Sequence, residues 1–254
     1  MRILKDEASG CELLINNESD RKVTIQCNRQ EYNMLMDIMD SGDTGNSKGL
    51  YESKESDKKY ILTDQSIEYH GRTLYRIKRV NDGEIGGFVE GYGNLSHEGS
   101  CFISDDAKVY GDASVSGNAV LGNQAEVYGF AHVSGYAAVL GNASISGEVK
   151  IEDDAYIHED AVITGSTQVN GRVEICGDTF VNGVCLIEDG VFIDGNIDIP
   201  GDTHISGNSI IRGDGTVKGS VIHDAEIIVQ SADIEFNILE NQKVVVSGNC
   251  TSEK

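Results

Sequence analysis

An aliphatic residue recurs at every sixth position between Ile103 and Val217. All 20 of these positions hold Val, Ile or Leu. From Val109 onward, the residue two places later is Gly at 15 of 19 positions. The four exceptions are Asn123, Asp153, Glu159 and Asp189. Gly adopts a positive φ freely, and Asn and Asp tolerate it better than most residues. The segment is therefore a repeat of a short strand followed by a tight turn.

Six residues cannot hold both a strand and a long return connection, so the chain must wind around an axis. Alternate strand residues face the same side, so Ala107 and Val109 point inward while Lys108 and Tyr110 point outward. Three such faces make a triangular coil of about 18 residues, and 20 hexads make about 6.7 coils, roughly 32 Å long. A narrow prism accounts for the absence of Trp and for the 30 Gly. The predicted fold class is all-β, a parallel β-helix.

Six-residue periods of this kind resemble the hexapeptide-repeat proteins, whose coils wind left-handed. The lead-in narrows the resemblance, because it reads Gly-Gly-Phe-Val-Glu at 86–90 and Asn-Leu-Ser-His-Glu-Gly at 94–99. These motifs, followed by Ala-x-Val-x-Gly units, are similar to the uncharacterised YdcK-like hexapeptide-repeat proteins of phages and enterobacteria over about two-thirds of the chain. The resemblance implies a left-handed β-helix and transfers no catalytic residue. The lead-in cap that we expect comprises Gly86, Gly87, Phe88, Glu90, Asn94, His97 and Glu98.

The chain divides into four predicted parts. Residues 1–57 form a small α/β module and a polar linker, with a strand at 22–26 and a helix at 28–39. Residues 58–100 form a β-rich cap with a hairpin turn at His70-Gly71. Residues 101–218 form the β-helix. Residues 219–254 lose the six-residue period, which predicts an irregular C-terminal cap or oligomerisation segment.

Outward side chains that are one coil length apart stack on one face of such a coil. The face that contains Val120 is the most apolar on its outside. Contiguous apolar patches mark interaction surfaces, and hexapeptide-repeat proteins commonly form trimers side by side. We therefore expect a homotrimer. Its predicted contact residues are Val120, Leu140, Tyr156, Phe192 and Ile210.

The chain is strongly acidic, with 20 Lys and Arg against 42 Asp and Glu. Residues 101–218 alone contain five basic and 18 acidic residues. Such a surface repels nucleic acid and anionic lipid, and no apolar run has transmembrane length. The six Cys show no C-x-x-C spacing. We expect a cytoplasmic protein, in a host cell if phage encoded, that binds neither nucleic acid nor membrane directly and whose partner is a basic protein.

Three kinds of site chemistry find little support in the sequence. An acyltransferase needs a His beside a cleft and a site for an anionic cofactor, but His132, His158 and His204 fall on uninterrupted faces with few basic residues. A zinc site of carbonic-anhydrase type needs three converging His, and no close His pair exists. The acidic runs at 152–154 and 159–160 lack calcium-loop spacing. The sequence thus predicts no catalytic residue, no cofactor and no metal.

The sequence favours a non-enzymatic acidic scaffold, encoded by a phage or prophage, that acts through protein–protein contacts. The specific hypothesis is inhibition of a host defence or nucleic-acid-binding factor, by steric block or by DNA-like charge. Two alternatives stay open, a hexapeptide-repeat acyltransferase and a structural component of the virion. Binding of acyl-coenzyme A would favour the first, and a location in phage particles the second.

Overall fold

The computed structural model describes residues 58–248 and, for the backbone alone, residues 2–4, 11–16 and 22–27. These residues are all-β apart from one 3-10 turn, η1 (Tyr92–Asn94). The strands are β1 (Arg2–Leu4), β2 (Cys11–Asn16), β3 (Lys22–Cys27), β4 (Tyr60–Tyr69), β5 (Arg72–Arg79), β6 (Ile85–Val89), β7 (Phe102–Ile103), β8 (Lys108–Val109), β9 (Ser114–Val115), β10 (Val120–Leu121), β11 (Glu126–Val127), β12 (His132–Val133), β13 (Ala138–Val139), β14 (Ser144–Ile145), β15 (Lys150–Ile151), β16 (Tyr156–Ile157), β17 (Val162–Gly165), β18 (Gln168–Val169), β19 (Glu174–Ile175), β20 (Phe180–Gly183), β21 (Leu186–Ile187), β22 (Phe192–Pro200), β23 (His204–Ser206), β24 (Ile210–His223), β25 (Glu226–Glu240) and β26 (Lys243–Ser247).

The first three strands form a small antiparallel sheet in the order β1-β2-β3. The strand expected at 22–26 is confirmed as β3. The helix expected at 28–39 and the linker up to residue 57 lie outside the described residues. Met1–Lys58 and Lys59–Lys254 are two separate compact units.

The segment before the repeat is an antiparallel meander. Strands β4 and β5 are joined by the predicted turn at His70 and Gly71, whose φ angles are 49° and 74°. Strand β5 pairs antiparallel with β6, and β6 then pairs parallel with β8, with Phe88 opposite Lys108. The sheet thus changes from antiparallel to parallel at β6, which joins the meander to the first coil.

The repeat folds into the predicted parallel β-solenoid, which has about nine turns. From β7 to β19, each strand pairs with the strand three later in the chain, as Val109 pairs with Val127 and Val127 with Ile145. Face one contains β8, β11, β14, β17 and β20. Face two contains β9, β12, β15, β18, β21 and β23. Face three contains β7, β10, β13, β16, β19 and the start of β22. All 20 aliphatic repeat positions are fully buried, so the six-residue period is the core of the prism.

The inner corners of the prism hold small residues, Ala in the early coils and Thr, Ser or Cys at several later ones. Three of the four hydroxyls that replace Ala, those of Thr167, Thr179 and Ser209, donate to nearby backbone carbonyls, whereas Thr203 Oγ1 has no hydrogen-bond partner among the described residues. Thr167 donates to Thr164 O at 3.0 Å, and Ser209 donates to Ser206 O at 2.7 Å. A buried hydroxyl that is hydrogen-bonded avoids the desolvation penalty of an unpaired one, so these positions accept Thr and Ser without opening the core.

Corners that lack Gly are closed by a side chain from the corner itself. Asp105, Asn123, Asp153, Glu159 and Asp189 have φ between 54° and 72°. In each case a side-chain oxygen accepts a hydrogen bond, 2.9–3.1 Å long, from the backbone N–H of the corner residue one coil later. A left-handed conformation costs a non-Gly residue roughly 1–2 kcal/mol, and the hydrogen bond offsets part of that cost. These acids are part of the fold as well as of the surface charge.

Parallel pairing does not stop at Val217. Strand β24 pairs with β25 as far as His223↔Glu240, and β25 pairs with β26 as far as Gln230↔Ser247. The prediction of an irregular cap after residue 218 is therefore wrong for the described residues, which form further coils. Partners here are separated by slightly less than three hexads, as in Ile210↔Glu226 and Glu226↔Lys243, so the six-residue period is lost while the coil persists. No helix in the described part of the chain is long and apolar enough to cross a membrane.

Candidate functional site

The Gly pair of the lead-in lies where β6 passes closest to the solenoid. A Cβ added at Gly86 would lie 2.4 Å from the carbonyl oxygen of Ile103. One added at Gly87 would lie 2.4 Å from the carbonyl oxygen of Ala107. Real Cβ atoms do not approach so closely, so both positions require Gly for backbone packing.

Phe88 in β6 and Glu90 directly after it attach this segment to the meander and to the first coil. Phe88 is buried, and the Arg76 guanidinium lies over its ring at 4.1 Å. Glu90 forms an ion pair with Arg72 at 2.7 Å and accepts a hydrogen bond from the Gly111 N–H at 2.8 Å. Glu90 thus links the meander to the first corner of face one.

Asn94 is the polar group buried in the cap, with 4% of its surface exposed. Its Nδ2 donates to Gly111 O at 3.0 Å and to Ala113 O at 2.8 Å. Its Oδ1 accepts a hydrogen bond from the Gly91 N–H at 2.9 Å. A side chain therefore satisfies two carbonyls at the start of the solenoid, where strand edges need a partner.

His97 and Glu98 lie beside Tyr60 at the same end. The His97 ring stacks on Tyr60 with centroids 4.4 Å apart, and its Nδ1 accepts a hydrogen bond from the Lys59 N–H at 3.2 Å. Tyr60 is fully buried and donates to Leu95 O at 2.7 Å, and burial raises its pKa. Glu98 contributes its carbonyl, which accepts a hydrogen bond from Lys59 Nζ at 3.3 Å.

The β4–β5 hairpin reaches the start of face one. The Tyr69 hydroxyl donates to the Glu126 carboxylate, and Lys108 Nζ lies 3.3 Å from that carboxylate. The hydrogen bond to Glu126, followed by burial, raises the pKa of Tyr69 to about 12. Tyr110 and Tyr128 stack beside this group with centroids 5.1 Å apart. A phenol with so high a pKa keeps its proton near neutral pH, so the cluster serves to attach the hairpin.

The predicted contact residues of face three fall into two adjacent columns. Val120, Tyr156, Phe192 and Ile210 belong to one ladder, which runs Val120, Ala138, Tyr156, Glu174, Phe192, Ile210. Val120 is 42% and Tyr156 38% exposed, whereas Leu140, Phe192 and Ile210 are half-buried. Larger apolar exposure lies beside face two, at Phe130 (66%) and Tyr136 (70%). The homotrimer on face three stays a prediction.

Face three also brings together side chains that can bind a metal. His158 Nε2 lies 3.2 Å from Glu174 Oε1, and the ligand atoms of His158, Glu174 and Cys176 all lie within 4.8 Å of one another. Cys176 Sγ lies 3.7 Å from Asp194 Oδ1, and with Glu159 these two form a second such group. Burial and then the carboxylates of Asp194, Glu159 and Glu174 raise the pKa of the Cys176 thiol to about 12.

The sequence does not reveal this cluster through His pairs or closely spaced motifs, because its residues are far apart in the chain. Glu174 and Cys176 follow His158 at a separation close to one coil length. Only the coil turns that separation into contact. An acid or thiol one coil length after a His is the sequence signal that would have found the cluster.

A second arrangement looks like a hydrolytic triad. Ser206 Oγ lies 3.0 Å from His223 Nδ1, and His223 Nε2 lies 3.2 Å from Asp224 Oδ2. Ser206 is only 6% exposed. Acyl transfer also needs free N–H donors for the developing oxyanion, but the Gly207 N–H donates to Asp189 and the Asn208 N–H donates to Asp224. The group therefore lacks the donors next to the nucleophile that catalysis would use.

Besides His158, the faces of the solenoid carry His132 and His204, and each of them contacts a polar side chain of a neighbouring coil. His132 Nδ1 lies 2.7 Å from Ser114 Oγ, and His204 Nε2 lies 2.7 Å from Glu188 Oε1. Both lie on face two. Two depressions in the surface of the described residues are open to solvent, and neither is lined by His132 or His204.

One corner column carries much of the surface charge. We call the corner after face three the acidic edge, and its exposed carboxylates are Asp105, Asp106, Glu159, Asp160, Asp178 and Asp214. No Lys or Arg occupies a corner position of this column between Asp105 and Asp214. Arg76 of the meander pairs with Asp106 at 2.7 Å, so the part of the edge whose described carboxylates have no ion pair with Lys or Arg begins at Glu159.

Comparison with known proteins adds no family. No family model matches the chain, and a search of curated proteins found no match. The resemblance to YdcK-like proteins therefore stays a prediction, whereas the parallel solenoid rests on the strand pairing itself.

Proposed function

We propose that this chain is a non-enzymatic binding protein of the YdcK-like hexapeptide-repeat type, which contacts a basic partner through the acidic edge. The observation that carries the proposal is the column of exposed carboxylates on a rigid ladder. Adjacent coils lie about 4.8 Å apart, so Asp160 and Asp178 are held at a fixed spacing. A surface that is ordered before binding loses little conformational entropy in the complex.

The charge pattern favours a protein partner whose own site is basic. A column whose charged residues are all acidic attracts such a partner from a distance and makes association depend on salt. The phage and prophage resemblance supplies the candidate class, a host defence or nucleic-acid-binding factor. Carboxylates in a regular row can occupy a surface that would otherwise bind phosphates, which makes inhibition by DNA-like charge the specific form of the proposal.

The experiment compares two variants of equal charge. The edge variant carries D160N, D178N and D214N. The control variant carries D112N, E148Q and D202N, three exposed acids of the corner after face one. Each removes three negative charges. Both are used with the wild type to capture proteins from an enterobacterial lysate, at low and high salt and with duplex DNA as competitor.

We expect one basic protein to be retained by the wild type and the control but lost from the edge variant, and to be displaced by salt and by DNA. Equal retention by both variants would contradict the edge as the binding site. Displacement by salt but not by DNA would support a basic partner without DNA-like competition.

The homotrimer is tested separately. Ile210→Asp places a charge in the predicted contact ladder of face three, and the mass of the assembly is measured in solution. We expect the trimer to dissociate, because a carboxylate at an apolar interface is left without a partner. An unchanged oligomeric mass would remove face three as the interface without affecting the acidic edge.

A further inference from the structure

We infer that His158, Glu174, Cys176 and Asp194 on face three form a binding site for a divalent transition-metal ion, with zinc as the best fit. The four side chains come from three successive coils. Their donor atoms are one imidazole nitrogen, one thiol sulfur and two carboxylate oxygens, a mixed set that suits Zn²⁺ better than Ca²⁺ or Mg²⁺.

Two of the distances between donor atoms match those expected around a tetrahedral ion. Bonds of about 2.0–2.3 Å from zinc to N, O and S place tetrahedral ligand atoms roughly 3.3–3.8 Å from one another. His158 Nε2 and Glu174 Oε1 are 3.2 Å apart, and Cys176 Sγ and Asp194 Oδ1 are 3.7 Å apart. Two edges of the tetrahedron are therefore present, and the first three donors all lie within 4.8 Å of one another.

The imidazole is held in the orientation that such a site needs. Tyr156 stacks on the His158 ring with centroids 4.2 Å apart. On the side away from Glu174, His158 Nδ1 faces Glu159 Oε1 at 4.0 Å, while Glu159 Oε2 accepts a hydrogen bond from the Gly177 N–H at 2.9 Å. Stacking on Tyr156 thus fixes the plane of the ring, whereas Glu159 is too far from His158 Nδ1 for a hydrogen bond.

The charge around the thiol also favours a cation. Cys176 is 5% exposed and lies among Glu159, Glu174 and Asp194. The nearby guanidinium of Arg212 lies over the Phe192 ring at 4.7 Å. A divalent ion would displace the thiol proton to solvent, bind the resulting thiolate and offset the carboxylates. Without an ion, the same groups would form a His158–Glu174 hydrogen bond and a thiol donating to Ile193 O at 3.6 Å.

The test uses the full chain, freed of metal with a chelator and titrated with Co²⁺ and then Zn²⁺. Cobalt reports both features of the site, because a thiolate ligand gives a charge-transfer band and tetrahedral coordination gives strong visible absorption. We expect one Co²⁺ per chain, displacement by Zn²⁺, and release of a proton on binding. C176S should abolish the charge-transfer band, and H158Q and E174Q should each weaken Zn²⁺ affinity at least about 10-fold.

Two matched controls isolate the cluster. C185S removes another buried thiol, and H204Q/E188Q removes a His–Glu pair at 2.7 Å on face two that has no Cys beside it. Both should bind Co²⁺ as the wild type does. Absence of a stoichiometric thiolate band in the wild type, or its persistence in C176S, would overturn the proposal. Thermal unfolding with and without Zn²⁺ gives a second readout, since an ion that binds only the folded chain raises the midpoint.

Discussion

The two ends of the solenoid are built in different ways. At the N-terminal end, the buried side chains of Tyr60 and Asn94 satisfy backbone groups of the lead-in and the first coil, and β6 is packed against that coil. At the C-terminal end of the described residues, β26 pairs with β25, and Ile238 and Val245 are 63% and 56% exposed. The N-terminal end is closed by specific polar contacts, whereas the C-terminal end of the described residues leaves apolar side chains exposed.

This difference indicates where stability is concentrated. A solenoid is held together by contacts between neighbouring coils, so its ends set where local unfolding starts. The N-terminal coils keep the full length of three hexads and have capped corners, whereas the last coils are slightly shorter and leave apolar side chains in solvent. We expect the amide protons of β25 and β26 to exchange with solvent faster than those of β7 to β9.

The largest expected effect comes from removing the buried polar side chain of Asn94 at the N-terminal end of the solenoid. Asn94→Ala deletes three hydrogen bonds and leaves the part-buried carbonyl of Gly111 and the buried carbonyl of Ala113 without that partner. At about 1–3 kcal/mol for each unsatisfied buried group, the cost should reach about 3 kcal/mol. Hydrogen exchange and urea unfolding measure it, with the first coil opening as readily as the last.

The matched control is Asn142→Ala, because Asn142 is exposed and donates to Asp160 at 2.8 Å. It should cost less than about 0.5 kcal/mol. A similar loss of unfolding free energy in both variants would show that the hydrogen bonds of Asn94 do not make the N-terminal end more stable than the C-terminal end.

A smaller effect is expected from separating β6 from the first coil. Gly87→Ala places a Cβ 2.4 Å from Ala107 O, and backbone must move to relieve the clash. Overpacking of this kind costs about 2 kcal/mol. Gly91→Ala is the control, since nothing lies within 4 Å of its Cβ and its φ of −168° is ordinary extended backbone. If Gly87→Ala and Gly91→Ala had the same urea midpoint, this result would argue against close packing at Gly87.

The corner caps give the next smaller effect and test the regular coils between the two ends. Asp153→Ala keeps a left-handed φ of 58° and loses the hydrogen bond from Gly171, so we expect a loss of about 1–2 kcal/mol. Asp153→Gly loses the bond but relieves the backbone, and should lose less. An Ala variant as stable as the Gly variant would show that the corner is not strained. Urea unfolding of both variants measures the difference.

The sequence predicts the features of this fold that depend on residues close together in the chain. It does not predict the contacts that form only between coils. The aliphatic at each sixth position and the Gly two residues later are local, and they were enough for the solenoid and its buried face. Asn123, Asp153 and Asp189 are residue types that tolerate a positive φ, but their hydrogen bonds to the next coil depend on a register that only the fold supplies. The cluster around Cys176 was missed for the same reason. The coils after Val217 were missed because their slightly shorter spacing breaks the period that identified the others.

The smallest expected effect lies in the last coils and concerns pH. The Thr216 hydroxyl and then its N–H hydrogen-bond to Asp233 and lower the pKa of that carboxyl below its usual 3.8. A carboxyl with a lowered pKa in the folded state adds stability that is present above its unfolded pKa and is lost as pH falls through the folded value. Asp233→Asn should therefore lower the melting temperature slightly at neutral pH and leave it unchanged well below pH 3.8. Because Asp233 is fully exposed, solvent screens the interaction and the difference should be small beside that of Asn94→Ala. A difference between wild type and D233N that persists in acid would mean that the bond to Thr216 acts through packing and not through charge.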